Sequence, residues 1–151
     1  MANQVEVMLT DELFQFLQEE RFVTIATVDH ETGGPNVSAI SWVYAPNKET
    51  IFFAVDNRSR IIENIKADSQ VVLNVIANES TYSLSGTGIV NVENLADVPL
   101  KLAAVELKLK EVRDVMFYGS KITTRPEYVK TYDKEAANKL DHQVMSAMKK
   151  I

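Results

Sequence analysis

The apolar positions change period repeatedly along the chain. Over residues 10–20, Leu13, Phe14, Phe16 and Leu17 recur at helical spacing behind Thr10, a residue type that caps exposed amides, so a short helix is expected there. Residues 21–28 switch to a dense β-branched run that ends at Gly33-Gly34-Pro35, which reads as a first strand and its turn. Val37, Ala39, Ser41 and Val43 alternate with Ser38, Ile40, Trp42 and Tyr44, and Pro46-Asn47 interrupts before 50–55, giving a second and third strand in a hairpin. Ile61, Ile62 and Ile65 form one helical stripe over 61–67. Two more strands follow at 71–77 and 81–92, the second containing Gly86-Thr87-Gly88, a sign of a bend or a close backbone approach.

Residues 104–111 have a helix former's composition, yet Val105, Leu107 and Leu109 alternate with Glu106, Lys108 and Lys110. Period two makes this a strand, which residues 112–118 prolong or follow. Residues 134–149 close the chain as a helix with Ala137, Leu140, Val144 and Met148 on one face. A run of strands with few long helices describes a mainly β protein, and closure removes unpaired edges. The expectation is a six-stranded antiparallel split β-barrel with short helices, forming one domain over residues 1–151.

Composition narrows the classes. At 151 residues and 46% hydrophobic content the chain suits a single core. A net charge of −5 argues against non-specific nucleic-acid or anionic-lipid binding, including the basic groove of an oligonucleotide-binding barrel. The lack of cysteine excludes thiolate metal sites and cysteine nucleophiles and fits a reducing compartment. No run reaches ~18 apolar residues, and Glu6, Asp11 and Glu12 stand where an export signal would be basic and then apolar. A cytoplasmic protein without a membrane span is the expectation.

Candidate chemistry is sparse. Asn57-Arg58-Ser59-Arg60 precedes the Ile-rich helix with two guanidiniums, a hydroxyl and helix N-terminal amides, all suited to a phosphate; a solvated basic loop would show the same composition. His30 and His142, the only histidines, lack metal-ligand spacing and read as surface residues, and no nucleophile elbow accompanies them. Trp42, the only tryptophan, faces either core or ligand. No catalytic acid, base or metal site emerges from spacing.

In order, these pieces resemble the FMN-binding split-barrel family typified by pyridoxamine 5′-phosphate oxidase, from about residue 13 to 118. The aromatic strand 50–55, Arg58-Ser59-Arg60, the short helix and Val71-Val72-Leu73-Asn74-Val75 parallel the family's strand, Ser-Arg, helix and valine-rich strand. Pro35 with 37–42 parallels the preceding strand, and Ser85-Gly86-Thr87-Gly88 the later glycine bend. The resemblance implies FMN as cofactor, with Ser59 and Arg60 on its phosphate and Arg58 nearby. It places Ser38, Ala39, Ile40, Ser41, Trp42, Ala54 and Val55 along the flavin, and Thr81 at the position a partner subunit offers to the ring.

The departures are specific. Ile61 stands where the oxidase pattern has a lysine, Ser38 where it has an arginine, and Val43 near a second lysine; the Arg-x-His segment near the C-terminus is missing. The resemblance thus implies an FMN-dependent oxidoreductase of unknown substrate, not an authentic pyridoxamine phosphate oxidase. The alternative is a flavin- or small-ligand-binding module, stress-related, without turnover. A homodimer with flavin at its interface is implied too. A second expectation leads the same way: Trp42, Tyr44, Phe52, Phe53, Met116 and Phe117 look too many for one barrel interior and three short helices to cover.

Overall fold

The computed structural model describes residues 5–151. In chain order its elements are β1 (Val5–Glu6), α1 (Asp11–Phe16), β2 (Val23–Val28), β3 (Pro35–Ile40), β4 (Val43–Asn47), β5 (Thr50–Asp56), α2 (Arg60–Ala67), β6 (Gln70–Ala77), β7 (Ser80–Val92), β8 (Leu102–Asp114) and α3 (Lys134–Lys149). The architecture is mainly β and antiparallel with short helices, as the alternation predicts. Eight strands replace the expected six. The two-residue β1 pairs with β8, and the expected second strand is two strands, β3 and β4.

That division has a clear cause. The sheet runs β3-β2-β6-β7-β8-β5-β4, so β3 and β4, consecutive in sequence, lie on opposite edges. Ile40 is the last β3 residue opposite β2, and Val43 the first β4 residue opposite β5. Only Ser41 and Trp42 separate them, and alternation of side chains continues across the break, which hides it from a pattern reading. The sheet curls far enough for its two edges to share this short connection without hydrogen-bonding into a closed barrel.

Inside lies one core: Val23, Ile25, Val43, Ile51, Phe53, Leu73, Leu84, Val105 and Leu107, sealed at one end by Ile61, Ile62 and Ile65 of α2 and at the other by Leu13 and Leu17. The α1 helix starts at Thr10, whose hydroxyl accepts from the Leu13 amide at 3.3 Å, but it ends at Phe16 rather than near residue 20. A second core covers the outside of β5. Phe52, Ala54, Leu102 and Ala104 pack there against Val144, Ala147 and Met148 of α3, with Trp42 and Tyr44 at the margin. From Ile51 to Val55 every residue of β5 is therefore buried. Of the six large residues behind the expectation of a second copy, Phe52, Trp42 and Tyr44 belong to the α3 cluster and Phe53 to the inner core, while Phe117 stays well exposed, at 69%.

β8 continues from Leu102 to Asp114, absorbing the start of the 112–118 segment. Opposite it, β7 shifts register between Ser85 and Gly86. A Cβ on Gly86 would lie 1.9 Å from the Lys108 carbonyl oxygen, so the close backbone approach expected of this glycine is real. No helix among the described residues is long and apolar enough to cross a membrane.

Candidate functional site

The short connection between the edges creates the main cleft. The Ser41 carbonyl accepts from the Arg21 amide at 3.1 Å, while the Trp42 carbonyl accepts from Ala54 at 3.0 Å. Adjacent residues are thus fastened to opposite sides of the sheet. Beyond this point β3 and β5 diverge, leaving a cleft of about 490 Å³. Ser38, Ala39, Ile40, Ser41 and Trp42 form one wall, Ala54, Val55 and Asp56 the other, and Ser59 and Ile61 close one end. Eight of the eleven sequence-nominated residues meet in this cleft. Small residues dominate both walls, with Ile40 and Trp42 as the larger members of the first, a surface on which a flat ring can lie.

The α2 end carries the anion chemistry. Ser59 is the helix N-cap: its oxygen accepts from the Ile61 amide at 3.1 Å, leaving its own hydroxyl hydrogen available to donate. Arg60 lies just outside the cleft, beside an adjoining recess of about 190 Å³ that it shares with Thr27, Asn36, Val37, Ser38, Ile61 and Asn64. Its Nη1 donates to Asp29 Oδ2 at 2.7 Å. The amides of Thr32 and Glu31, with Arg60 adding to them, hold the Asp29 carboxyl down at about 2.

Arg58 and Thr81 are not brought to this cleft. The Arg58 side chain is 83% exposed and turns back on Asp56, whose carboxyl is held low chiefly by the Arg58 amide. Thr81 sits on β7, its Oγ1 accepting from Asn74 Nδ2 at 2.6 Å. His30 is not a free surface histidine: it is half-buried, with Nδ1 2.8 Å from Asn64 Oδ1 and Nε2 near Glu31 and Glu63. His142 is exposed on α3.

Sequence reasoning missed the far wall, which comes from the irregular segment before α3. Lys130 and Tyr132 line the cleft. Lys130 Nζ donates to Glu20 Oε2 at 2.7 Å and to Asp141 Oδ1 at 3.1 Å, and lies 5.7 Å from the centre of the Trp42 ring. Burial works against its charge, but the two carboxylates outweigh it and raise its pKa. Glu20 also accepts from the Ser41 hydroxyl at 2.5 Å. Glu20 and Lys130 are 110 residues apart, and nothing in their spacing announces the pair.

The comparisons with known proteins agree with this architecture. A candidate pyridoxamine 5′-phosphate oxidase from Lactobacillus delbrueckii superimposes with a TM-score of 0.63 at 22% identity, covering 74% of this chain and 98% of its own. An F420 reductase matches at 0.56 and 18% identity over 68% of this chain and 96% of that one. General stress protein 26 from Bacillus anthracis matches at 0.55 and 11% identity, over 70% and 97%. At these identities the likeness is one of fold. Among curated proteins nothing matches significantly. The family model described as pyridoxamine 5′-phosphate oxidase matches residues 9–115, well over half of the sequence and all of the sheet from β2 to β8, and the chain therefore belongs to the pyridoxamine 5′-phosphate oxidase family.

Proposed function

We propose that this protein is an FMN-dependent oxidoreductase acting on a small molecule other than pyridoxamine 5′-phosphate. One observation carries the reading: a cleft walled mainly by small residues, with Trp42 among them, ends at a capped helix N-terminus with a serine hydroxyl, and an arginine stands in the adjoining recess. That donor set fits an elongated ligand with a planar body and a phosphate tail. Ser59, Arg60 and the first amides of α2 would hold the phosphate, and the 38–42 and 54–55 walls would lie along the ring. Bound FMN would supply the hydride or electron chemistry, and the protein's part is orientation and exclusion of water. Val43, near the position of the oxidase pattern's strand-two lysine, is a buried apolar residue, so the cation expected there for a pyridoxamine phosphate substrate is not provided.

The same reading includes a homodimer in the cytoplasm. Across β3, β2, β6 and β7 the outward rows run Val37, Ala26, Val72, Ser85 and Ala39, Thr24, Asn74, Ser83, all uncharged and mostly small. Thr81 shares this face through its register with Ile76. Such a self-complementary surface suits two-fold pairing. Ala26→Arg should yield monomers in sedimentation and weaken FMN binding if the partner completes the site.

The test of function is direct. Purified protein titrated with FMN and riboflavin should show a flavin absorption band and prefer FMN; equal affinity for both would defeat the phosphate assignment. A carrier without turnover is the second reading. It is favoured by the state of the cleft's charged groups, since Lys130 is held protonated and Asp56 ionised, which leaves neither ready to exchange a proton near neutral pH. Anaerobic bleaching of the bound flavin by NADH or NADPH supports the enzyme; a flavin that dithionite bleaches but neither nicotinamide donor does supports the carrier.

A further inference from the structure

We propose that Asp29, in the turn between β2 and β3, is a positioning residue for the anion end of the cleft, its fixed carboxylate holding the Arg60 guanidinium beside the recess where a phosphate monoester binds. The inference rests on the phosphate reading above and assigns the residue that makes Arg60 effective.

The geometry is that of a rigid support. Asp29 is only 7% exposed. One of its oxygens accepts from the Glu31 and Thr32 amides at 2.8 and 3.0 Å, and the other takes Arg60 at 2.7 Å. The turn is closed on itself by Asp29 and Gly34, and by Gly33, which adopts a positive φ. Asn64, fully buried in α2, clamps the same turn to the helix. It accepts from the His30 amide at 2.9 Å and donates to Thr27 and Asn36 at 3.0 and 2.8 Å. Turn and helix thus form one unit, and the carboxylate cannot swing away from Arg60.

Arg60 itself is half-exposed, and a free arginine of this kind samples many rotamers. Among the described residues Asp29 is its only ion-pair partner, and the contact uses one nitrogen of a guanidinium with five N–H donors. The remaining donors are therefore pre-arranged rather than consumed. A carboxylate so near an anion site would repel the anion unless a cation stood with it, so the sign of the effect is itself diagnostic. A supporting Asp29 strengthens phosphate binding, whereas a competing Asp29 weakens it.

Asp29→Asn keeps an oxygen acceptor for the turn amides and removes the charge. In the full-length protein this change should weaken FMN binding by roughly tenfold, the scale of a charge-assisted contact put out of place, while riboflavin affinity stays within about twofold. In an Arg60→Ala background the same substitution should alter FMN affinity by less than about twofold, because Asp29 acts through Arg60. Unchanged or tighter FMN binding in Asp29→Asn, an equal loss for riboflavin, or additive losses with Arg60→Ala would each overturn the inference. Should Asp29→Asn fail to fold by thermal melting, Asp29→Ser retains a turn acceptor and is read by the same criteria. If the wild-type protein shows no preference for FMN over riboflavin, the phosphate reading itself fails and takes this inference with it; a wild-type preference that Arg60→Ala abolishes and Asp29→Asn spares defeats the inference alone.

Discussion

The indole Nε1 of Trp42 donates to Asp141 Oδ1 at 2.9 Å across 99 residues of sequence, tying the cleft wall to α3. Asp141 also holds Lys130, so Asp141→Ala releases the indole and leaves the ammonium to Glu20 alone. A loss of about 1–3 kcal/mol is expected, the range for hydrogen bonds to a partly buried charged group, read from the urea midpoint. Because Trp42 is the only tryptophan, its emission should move to longer wavelength in the variant. FMN bound in the cleft should quench that emission in the wild type, and unaltered fluorescence on saturation would place the ligand elsewhere.

Arg60→Ala should cost about 1.5–3 kcal/mol in FMN affinity, as for a lost charge-assisted bond. Arg58→Ala should change it by less than about 0.5 kcal/mol, since that side chain is exposed and turned toward Asp56. Flavin fluorescence titration separates the two, and a larger effect at Arg58 would invert the assignment.

Gly86→Ala should be severely destabilising. Its Cβ would enter the Lys108 carbonyl, backbone against backbone, so β7 and β8 must part at the register shift between Ser85 and Gly86. Overpacking of this kind costs about 1–3 kcal/mol or more, measurable as a lower denaturant midpoint or as insoluble protein. Gly33→Ala meets no neighbour and should cost less, through its positive φ alone.

Acid should weaken the β2–β3 turn through Asp29. Its folded-state value is depressed to about 2, so its contribution to stability is fully present above the ordinary aspartate value near ~3.9 and is lost as pH falls through about 2. Wild type and Asp29→Asn should differ in melting temperature above pH ~4 and converge towards pH ~2. A difference that persists unchanged at the lowest pH would mean that the carboxylate's charge is not what the turn relies on.

The middle of the sheet is readable because strands such as β2 and β6 turn one face to the core. Leu73 and Val75 in β6, or Leu107 in β8, announce their direction by period two, and α3 keeps its stripe over the whole of Lys134–Lys149. The break at Ser41 and Trp42 left no such trace: both strands it joins alternate, and the change of partner is a property of how far the sheet curls. Ser59 was legible as a cap before a helix, whereas Arg60's tie to Asp29 was not, because a turn and a helix 31 residues apart meet only in three dimensions. Lys130 was invisible for the same reason. The cover that α3 gives Phe52 is not legible in the sequence either, because Phe52 and Met148 join one cluster only in three dimensions.

The two-residue span between the first and last strands of the sheet has a kinetic meaning. Its ends are covalently adjacent from the start and the Trp42–Ala54 contact extends the local β4–β5 pairing, so what waits for β6, β7 and β8 to fill the sheet between β2 and β5 is the fixed spacing of the two cleft walls. The ligand pocket is then the last part of the molecule to exist and the first to vanish when either rim peels away. A bound ligand bridging those rims would act as a clasp, slowing unfolding more than it speeds folding.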